Sequence, residues 1–367
     1  MSARKGARHG SPEAAFITMA LRGPEPCGSP ALSELAAGVR DWDAVGAMSA
    51  EHGVSPWILR TVACAGIAGL VDRDVLSTMR RQAFASAMLS LALAEALEGA
   101  LLSFEDAGIP VIVLKGPVVA EHYPNPELRP YRDLDLLVPL DRHEQVAAVC
   151  ARLGYEVVDD HGGVSAKTTS GHLFPFETVF AHRESGVLLD VHYDPLQLGL
   201  RPRDGDGIWQ RCEPWTFQRT SAKRPALDDL VLLLTVHLHR HGFGRLIWCK
   251  DLDLILRREG ARLDWEWLAA AARAEGVESS LTSMLRLLQR VLDTPLPDAA
   301  AALTKGTYST LLHRLLWPDD QVLGLRPLRW RRAVQFVPKD GLRGALPSLV
   351  FMGRRTDKIK SLLRRPQ

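Results

Sequence analysis

Three aspartates stand where apolar strands would set them side by side. The segments read Val111-Ile-Val-Leu-Lys115-Gly116, then Tyr131-Arg-Asp133-Leu-Asp135-Leu-Leu-Val138, then Val187-Leu-Leu-Asp190-Val-His192. Strand side chains alternate between faces, so Asp133 and Asp135 share one face while Leu134, Leu136 and Val138 turn toward a core. Asp190 lies in another apolar strand, able to sit beside the first. Carboxylates crowded on neighbouring strands repel one another unless something cationic lies between them. Mg²⁺ takes oxygen ligands and keeps positions for phosphate oxygens. The pattern is that of a metal–nucleotide site. The plain alternative is solvated acids flanking strands. It is the better account of Asp190 alone and the poorer account of all three after a Lys-Gly turn.

The neighbouring residues extend the same chemistry. Gly116 allows backbone N–H groups close to phosphates, and a helix opening at Pro117 would add its positive N-terminal end. Lys115 offers a point charge. Arg129 and Arg132 can grip phosphate in a bidentate way. Arg132 alternates with Asp133, toward the opposite face, and could equally partner an acid. His192 shares a strand face with Asp190; orienting a carboxylate, touching substrate and a structural role all fit it. His237 and His241 share a helical face and are read as packing or pocket residues. Zinc would need further ligands, no Cys or Glu falls at a suitable spacing, and Leu238 excludes an HExxH motif. Asp251-Leu-Asp253 repeats the Asp-x-Asp spelling on an expected helix, where residues two apart diverge; it is not read as a second metal site.

The elements that must position these groups follow from pattern. Five units are expected: a loose N-terminal segment (1–29) with a short helix near Pro12–Leu21, a helical region (30–107), a core (108–200), a helical domain (201–325) and a basic tail (326–367). Pro110 opens the first strand and Asp141 is a candidate cap for a helix through Leu153. Tyr155–Val158 reads as a strand, and 172–182 with Val187–Tyr193 as a hairpin. Helices are expected at Leu227–His239, Leu246–Arg258, Trp265–Glu275 and Leu281–Leu292. The apolar run Met88–Phe104 carries Glu95 and Glu98, which argues for a buried helix over a membrane span. Net charge is +2 by formal count, so bulk charge does not mark a polyanion binder. Five scattered cysteines without a CxxC pair, and a polar N-terminus, make a reduced, cytoplasmic setting the expectation. From Arg326 to Arg365 there are twelve Lys or Arg against two acids, and Trp330 lies among them. A solvated tail is the plain reading; an anionic partner is the functional one.

In order, these motifs resemble the nucleotidyltransferase superfamily, the fold of polymerase-beta-like and aminoglycoside-adenylylating enzymes. More narrowly, the chain is similar to the bacterial family of uncharacterised nucleotidyltransferases. That likeness rests on Leu114-Lys115-Gly116, Tyr123-Pro124, Arg129-Pro130, Asp133-Leu-Asp135-Leu-Leu-Val138, Leu189-Asp190-Val-His192 and the helical segment around His237 and His241. The resemblance implies an α+β fold: a nucleotidyltransferase core with a mixed β-sheet, flanked by N-terminal and C-terminal helical regions. It implies Mg²⁺-dependent transfer of an NMP group from an NTP, with ATP the expected nucleotide, to a small-molecule, peptide or protein acceptor. Asp133 and Asp135 would be shared ligands of two ions; Asp190 would complete one shell and help deprotonate the nucleophile. Lys115, Gly116, Arg129 and Arg132 would bind the nucleotide, Arg129 matching the family position for pyrophosphate. His192, His237 and His241 would face the substrate pocket. The chain departs from better-known relatives in one turn: Lys115-Gly116 replaces Gly-Ser and removes a hydroxyl contact to the γ-phosphate. A rival expectation follows, a nucleotide-binding or scaffolding protein that has lost turnover.

Overall fold

The computed structural model describes residues 11–26, 29–161, 177–196 and 206–305. The basic tail (326–367) lies outside the described residues.

Five helices precede the sheet: α1 (Pro12–Ala20), α2 (Pro30–Gly38), α3 (Trp42–Glu51), α4 (Ser55–Cys64) and the 34-residue α5 (Arg73–Asp106). The first segment is not loose where it is described. Ser11 caps α1, accepting from the Ala14 amide, and Phe16, Ile17 and Leu21 are fully buried. Trp57 Nε1 donates to the Ala20 carbonyl at 2.8 Å, which ties α1 to α4.

The sheet has seven strands in the order β3-β4-β5-β2-β1-β7-β6. These are β1 (Ile112–Val113), β2 (Asp133–Leu137), β3 (Tyr155–His161), β4 (Glu177–His182), β5 (Leu188–His192), β6 (Glu213–Phe217) and β7 (Thr220–Arg224). Parallel pairing of β2 with β5, and of β1 with β7, makes the sheet mixed. The hairpin β6–β7 overturns the expectation that 201–325 is wholly helical: Ile112 pairs with Lys223, so the sheet continues to Arg224. Short helices interrupt the strands: α6 (Pro117–Ala120), α7 (His143–Arg152) and α8 (Asp206–Arg211). Asp141 does not cap α7, which follows a 3₁₀ turn at Leu140–Arg142 and has no side-chain cap.

Beyond the sheet come α9 (Leu227–Arg240), α10 (Leu246–Glu259), α11 (Trp265–Glu275), α12 (Glu278–Leu292) and α13 (Asp298–Leu303). Leu134, Leu136 and Val138 are buried, as alternation requires, but so is Leu137 on the other face. Both faces of β2 are covered, as expected for a strand at the centre of a layered domain.

Helix α5 corrects a further expectation. Leu93, Leu97, Leu101 and Phe104 recur at helical spacing and are buried, but Met88, Leu89 and Leu91 before them are exposed, as is Phe84. Both ends of α5 pack against the body, Val75, Leu76 and Met79 at its start and Leu93 to Phe104 at its end, and the middle stands exposed. By length and composition it is the one described helix apolar enough to cross a membrane, and a third of that window is buried; this is weak evidence for a span.

Candidate active site

Strands β2 and β5 run parallel in a register that sets Asp135 opposite Asp190 and Asp133 opposite Leu188. Adjacent strands lie about 4.8 Å apart, so the Asp135 and Asp190 side chains stand side by side. Asp133 is two residues back on the same face. β1 runs antiparallel beside β2, Leu114 N–H donates to the Asp135 carbonyl at 3.0 Å, and Lys115 follows at the strand's end.

Around Asp135 the geometry is tight. Lys115 Nζ lies 2.7 Å from its Oδ1, and His192 Nε2 lies 2.9 Å from the same oxygen. A carboxylate oxygen only accepts, so Nε2 carries the proton. The other ring nitrogen of His192 lies 3.4 Å from Glu177 Oε2. His192 is therefore buried behind Asp135, placed to orient a carboxylate, and not on the wall of an open pocket. Lys115 also reaches His237, 3.3 Å from Nδ1. The ammonium donates, so Nδ1 is unprotonated. Burial first, then the Lys115 charge, pushes the His237 pKa well below the ordinary value.

The three acids differ in electrostatic state. Burial would raise the Asp135 pKa, but Lys115 and His192 hold it well below the usual carboxylate range. Asp133 is raised by burial and by Asp135. Asp190 is pushed up to about 8 by burial, then by Asp135, Asp133 and Glu177. Its Oδ1 is buried without a hydrogen-bond partner. Such an orphaned oxygen is uncommon in a native interior and calls for an explanation. Asp133, Asp135 and Asp190 thus crowd on one face, with Lys115 and His192 in contact with Asp135. That crowding of carboxylates, and their donor set of oxygens, fit a divalent cation of the Mg²⁺ type. One observation runs the other way: among the described residues no three His, Cys, Asp or Glu side chains already converge on a point that could hold an ion. Lys115 occupies the nearest oxygen of Asp135.

The remaining expected residues divide. Arg129 is not open toward the acids' face as a phosphate grip: its Nε and Nη2 donate to Asp251 at 3.2 and 2.8 Å, and both side chains are buried. Burial works against that charge, but Asp251 more than offsets it and the pKa rises. Tyr123 also donates to Asp251, at 2.7 Å. Tyr123 and Arg129 are therefore a clamp between the turn region and α10. Gly116 has φ +60°, which favours glycine, and a Cβ there would meet the Tyr131 ring at 3.5 Å. The helix after it, α6, is a single buried turn of four residues, too short for an appreciable dipole. Arg132 is exposed.

α9 ends at Arg240, and His241 follows as its cap residue, 4.5 Å from His237 by ring centroids. Both rings pack on Trp248, at 5.0 and 4.8 Å. His239 points elsewhere, 2.6 Å from Ser280 Oγ through Nδ1. Leu114, Lys115, Pro195, Leu196, Leu233, His237 and Arg240 line a small cleft beside Lys115. Sequence reading missed Trp248, Arg240, Arg245 and Glu177. Glu177 alone carried a readable signal, since the expected hairpin register puts it opposite His192.

A mixed sheet carrying an Asp-x-Asp strand beside a third acidic strand, with helices before and after, is the α+β core of a nucleotidyltransferase. The family model described as "Uncharacterised nucleotidyltransferase" matches residues 39–293, and the chain belongs to that family. No curated protein matches the sequence. Among solved structures, the solution structure of the antibiotic-resistance factor ANT(2'')-Ia is similar at 13% identity and TM-score 0.37, over 51% of this chain and 94% of that one. The crystal structure of ANT(2")-Ia in complex with adenylyl-2"-tobramycin is similar at 14% and TM-score 0.37, over 50% and 98%. An antigenic nucleotidyltransferase-like protein from Paracoccidioides brasiliensis is similar at 12% and TM-score 0.32, over 59% and 94%.

Proposed function

We propose that this protein transfers an NMP group from an NTP, with ATP the expected donor, to a hydroxyl-bearing small molecule, peptide or protein in an Mg²⁺-dependent reaction. The observation that carries the reading is the register of Asp135 on Asp190, with Asp133 on the same face and a partnerless buried oxygen on Asp190. Asp133, Asp135 and Asp190 would hold the metal. Two ions, when bound, would supply Lewis-acid stabilisation of the attacking and leaving oxygens. The chain's own residues do the rest. His192 fixes Asp135 in one rotamer. Lys115, now on Asp135, is within reach of the same face and would hold a phosphate oxygen. Asp190 accepts the acceptor's proton as the new oxygen–phosphorus bond forms and the bond to pyrophosphate breaks.

A second reading has its own observation. The Lys115 ammonium, 2.7 Å from Asp135, neutralises that carboxylate from within the chain, as a binding protein without turnover would require. Incubation with α-labelled NTP, Mg²⁺ and a cell extract separates the two. Label transfer by the wild type and its loss in Asp190→Ala supports the enzyme; tight nucleotide binding without transfer supports the second reading.

A further inference from the structure

Helix α5 is anchored at both ends. Near its start, Val75 and Met79 lie so close to α3 that a Cβ on Gly46 would touch them at 3.6 and 3.7 Å. Toward its end, Leu93, Leu97, Leu101 and Phe104 are buried, and Glu98 accepts from Arg219 Nε in the β6–β7 turn at 3.0 Å. Between these anchors the amphipathic pattern is reversed. Ala83, Ser86 and Ser90 continue the helical face that Met79 and Leu93 bury, and they are small and only half-buried. The large apolar side chains stand on the far side: Phe84 is 68% exposed, Met88 50% and Leu91 65%. A helix that keeps small residues toward the body and large apolar ones toward solvent is built for a second neighbour.

The exposed stripe is regular and carries a charge at each end. Arg81, Phe84, Met88, Leu91 and Glu95 follow at alternating intervals of three and four, which keeps them in line along a helix. Arg81 is exposed and reaches only hydroxyls of its own helix, Ser77 at 2.8 Å and Thr78 at 2.9 Å. Glu95 is exposed too, and neither has an ion-pair partner among the described residues. Met88 lies midway, seven residues from each. A two-fold axis crossing the stripe near Met88 runs a second α5 antiparallel to the first. It sets Arg81 of each copy level with Glu95 of the other and the apolar residues against one another. A parallel pair would stack Arg81 on Arg81 and Glu95 on Glu95. The stripe therefore complements itself in the antiparallel sense, as an isologous contact requires. Other coverings fit less well. Both anchors would have to tear for α5 to span a bilayer. An anionic membrane surface would meet Glu95, and the basic segment from Arg326 onward would meet Arg80 and Arg81.

We infer that the exposed middle of α5 is the interface of a homodimer, in which two copies of the chain pack Phe84, Met88 and Leu91 antiparallel and close the seam with two Arg81–Glu95 ion pairs. The apolar residues supply the driving force, and the charges at the two ends set direction and register. Phe84, the largest and most exposed of the three, is the anchor of the seam. Assembly requires no nucleotide.

Sedimentation velocity of the full chain over a concentration series, without nucleotide, tests it. The wild type is expected to pass from monomer to dimer as concentration rises. Phe84→Glu puts a charge into the apolar seam and should raise the dimer dissociation constant at least about a hundredfold. Arg81→Glu and Glu95→Arg each set like charges against one another and should raise it about tenfold; the double variant should return to within about threefold of the wild type. All three side chains are exposed, thermal unfolding of each variant monitors the fold, and rescue by the double reversal cannot arise from damage. A wild type that stays monomeric up to about 100 μM, well above the micromolar limit of specific interfaces, would overturn the inference. A dimer indifferent to Phe84→Glu would place the interface elsewhere and overturn it too, and so would a double variant as weak as the singles. A monomer that binds anionic vesicles and loses them in Phe84→Glu would give the face to a membrane instead.

Discussion

The tripeptide Asp-Leu-Asp occurs twice in this chain, and the two copies end in opposite states. On strand β2, Asp133 and Asp135 share a face with Asp190, Lys115 and His192 both contact Asp135, and Asp190 keeps a buried oxygen without a partner. On helix α10, Asp251 and Asp253 diverge, and each finds its own partners. Asp251 takes Arg129 and Tyr123. Asp253 takes Lys250 at 2.8 Å, Arg257 at 2.7 Å and the Thr294 hydroxyl at 2.6 Å. The spelling is the same, but a period of two gathers charge where a period of 3.6 disperses it. An acid whose every oxygen is matched within the protein has nothing left for a ligand. The acids left in surplus are the ones poised for chemistry.

The comparison breaks most visibly under substitution on α10. Asp251→Ala leaves the Arg129 guanidinium buried and unpaired, and such a loss costs about 3–5 kcal/mol. Denaturant unfolding should show it as a lower midpoint, with secondary structure retained below the transition. A change under about 1 kcal/mol would mean that the clamp adds little and that Arg129 is free for other work.

Much of this contrast was legible before the structure. Period-2 alternation placed Asp133, Asp135 and Asp190 on strands, and helical spacing found α9 through α12 within a few residues, because those segments bury one continuous face each. The hairpin β6–β7 gave little signal: its two-residue turn, Gln218-Arg219, carries φ +51° at Gln218 where a glycine or asparagine would have announced it. Arg129 is read as a phosphate ligand from its match to the family position, and its pairing with Asp251, 122 positions away, is set by how α10 docks, not by local pattern. The exposed middle of α5 was hidden by composition, since an apolar run reads alike whether its cover is present or not.

On β2 the effect of substitution is smaller and of opposite sign for stability. Asp133→Asn removes one charge from a crowded cluster, so the unfolding midpoint should hold or rise slightly, while Mg–NTP affinity falls about tenfold, or ~1.4 kcal/mol. Calorimetric titration beside thermal unfolding reads both. Lower stability with unchanged affinity would place Asp133 among the structural acids, with Asp251.

The finest distinction is in pH dependence, where the two regions should slope in opposite directions without metal. Asp190 titrates near 8 in the folded chain and near 3.9 when unfolded. Between those values the folded state keeps a proton that the unfolded state has lost, so stability falls as pH rises and levels off above about 8. Asp135, held low, acts the other way but only below about pH 4, so it does not mask this limb. Lys250 on α10 is pushed down to about 8 by burial, against the pull of Asp253, from about 10.4 unfolded. From 8 to 10.4 the unfolded state binds more protons, and stability rises with pH. Above about pH 8.5 the buried Cys150 and Cys249 thiols, pushed up by burial, act against the Lys250 limb. Thermal midpoints in chelator should therefore fall from pH 5 to 8, Asp190→Asn should flatten that fall, and Lys250→Met should differ in slope from the wild type only above pH 8. Mg²⁺ should flatten the falling limb in the wild type, because a cation favours the ionised carboxylates. If Asp190→Asn runs parallel to the wild type from pH 5 to 8, Asp190 is not the strained acid of the cluster, and the charge surplus on β2 and β5 is balanced by groups other than those named.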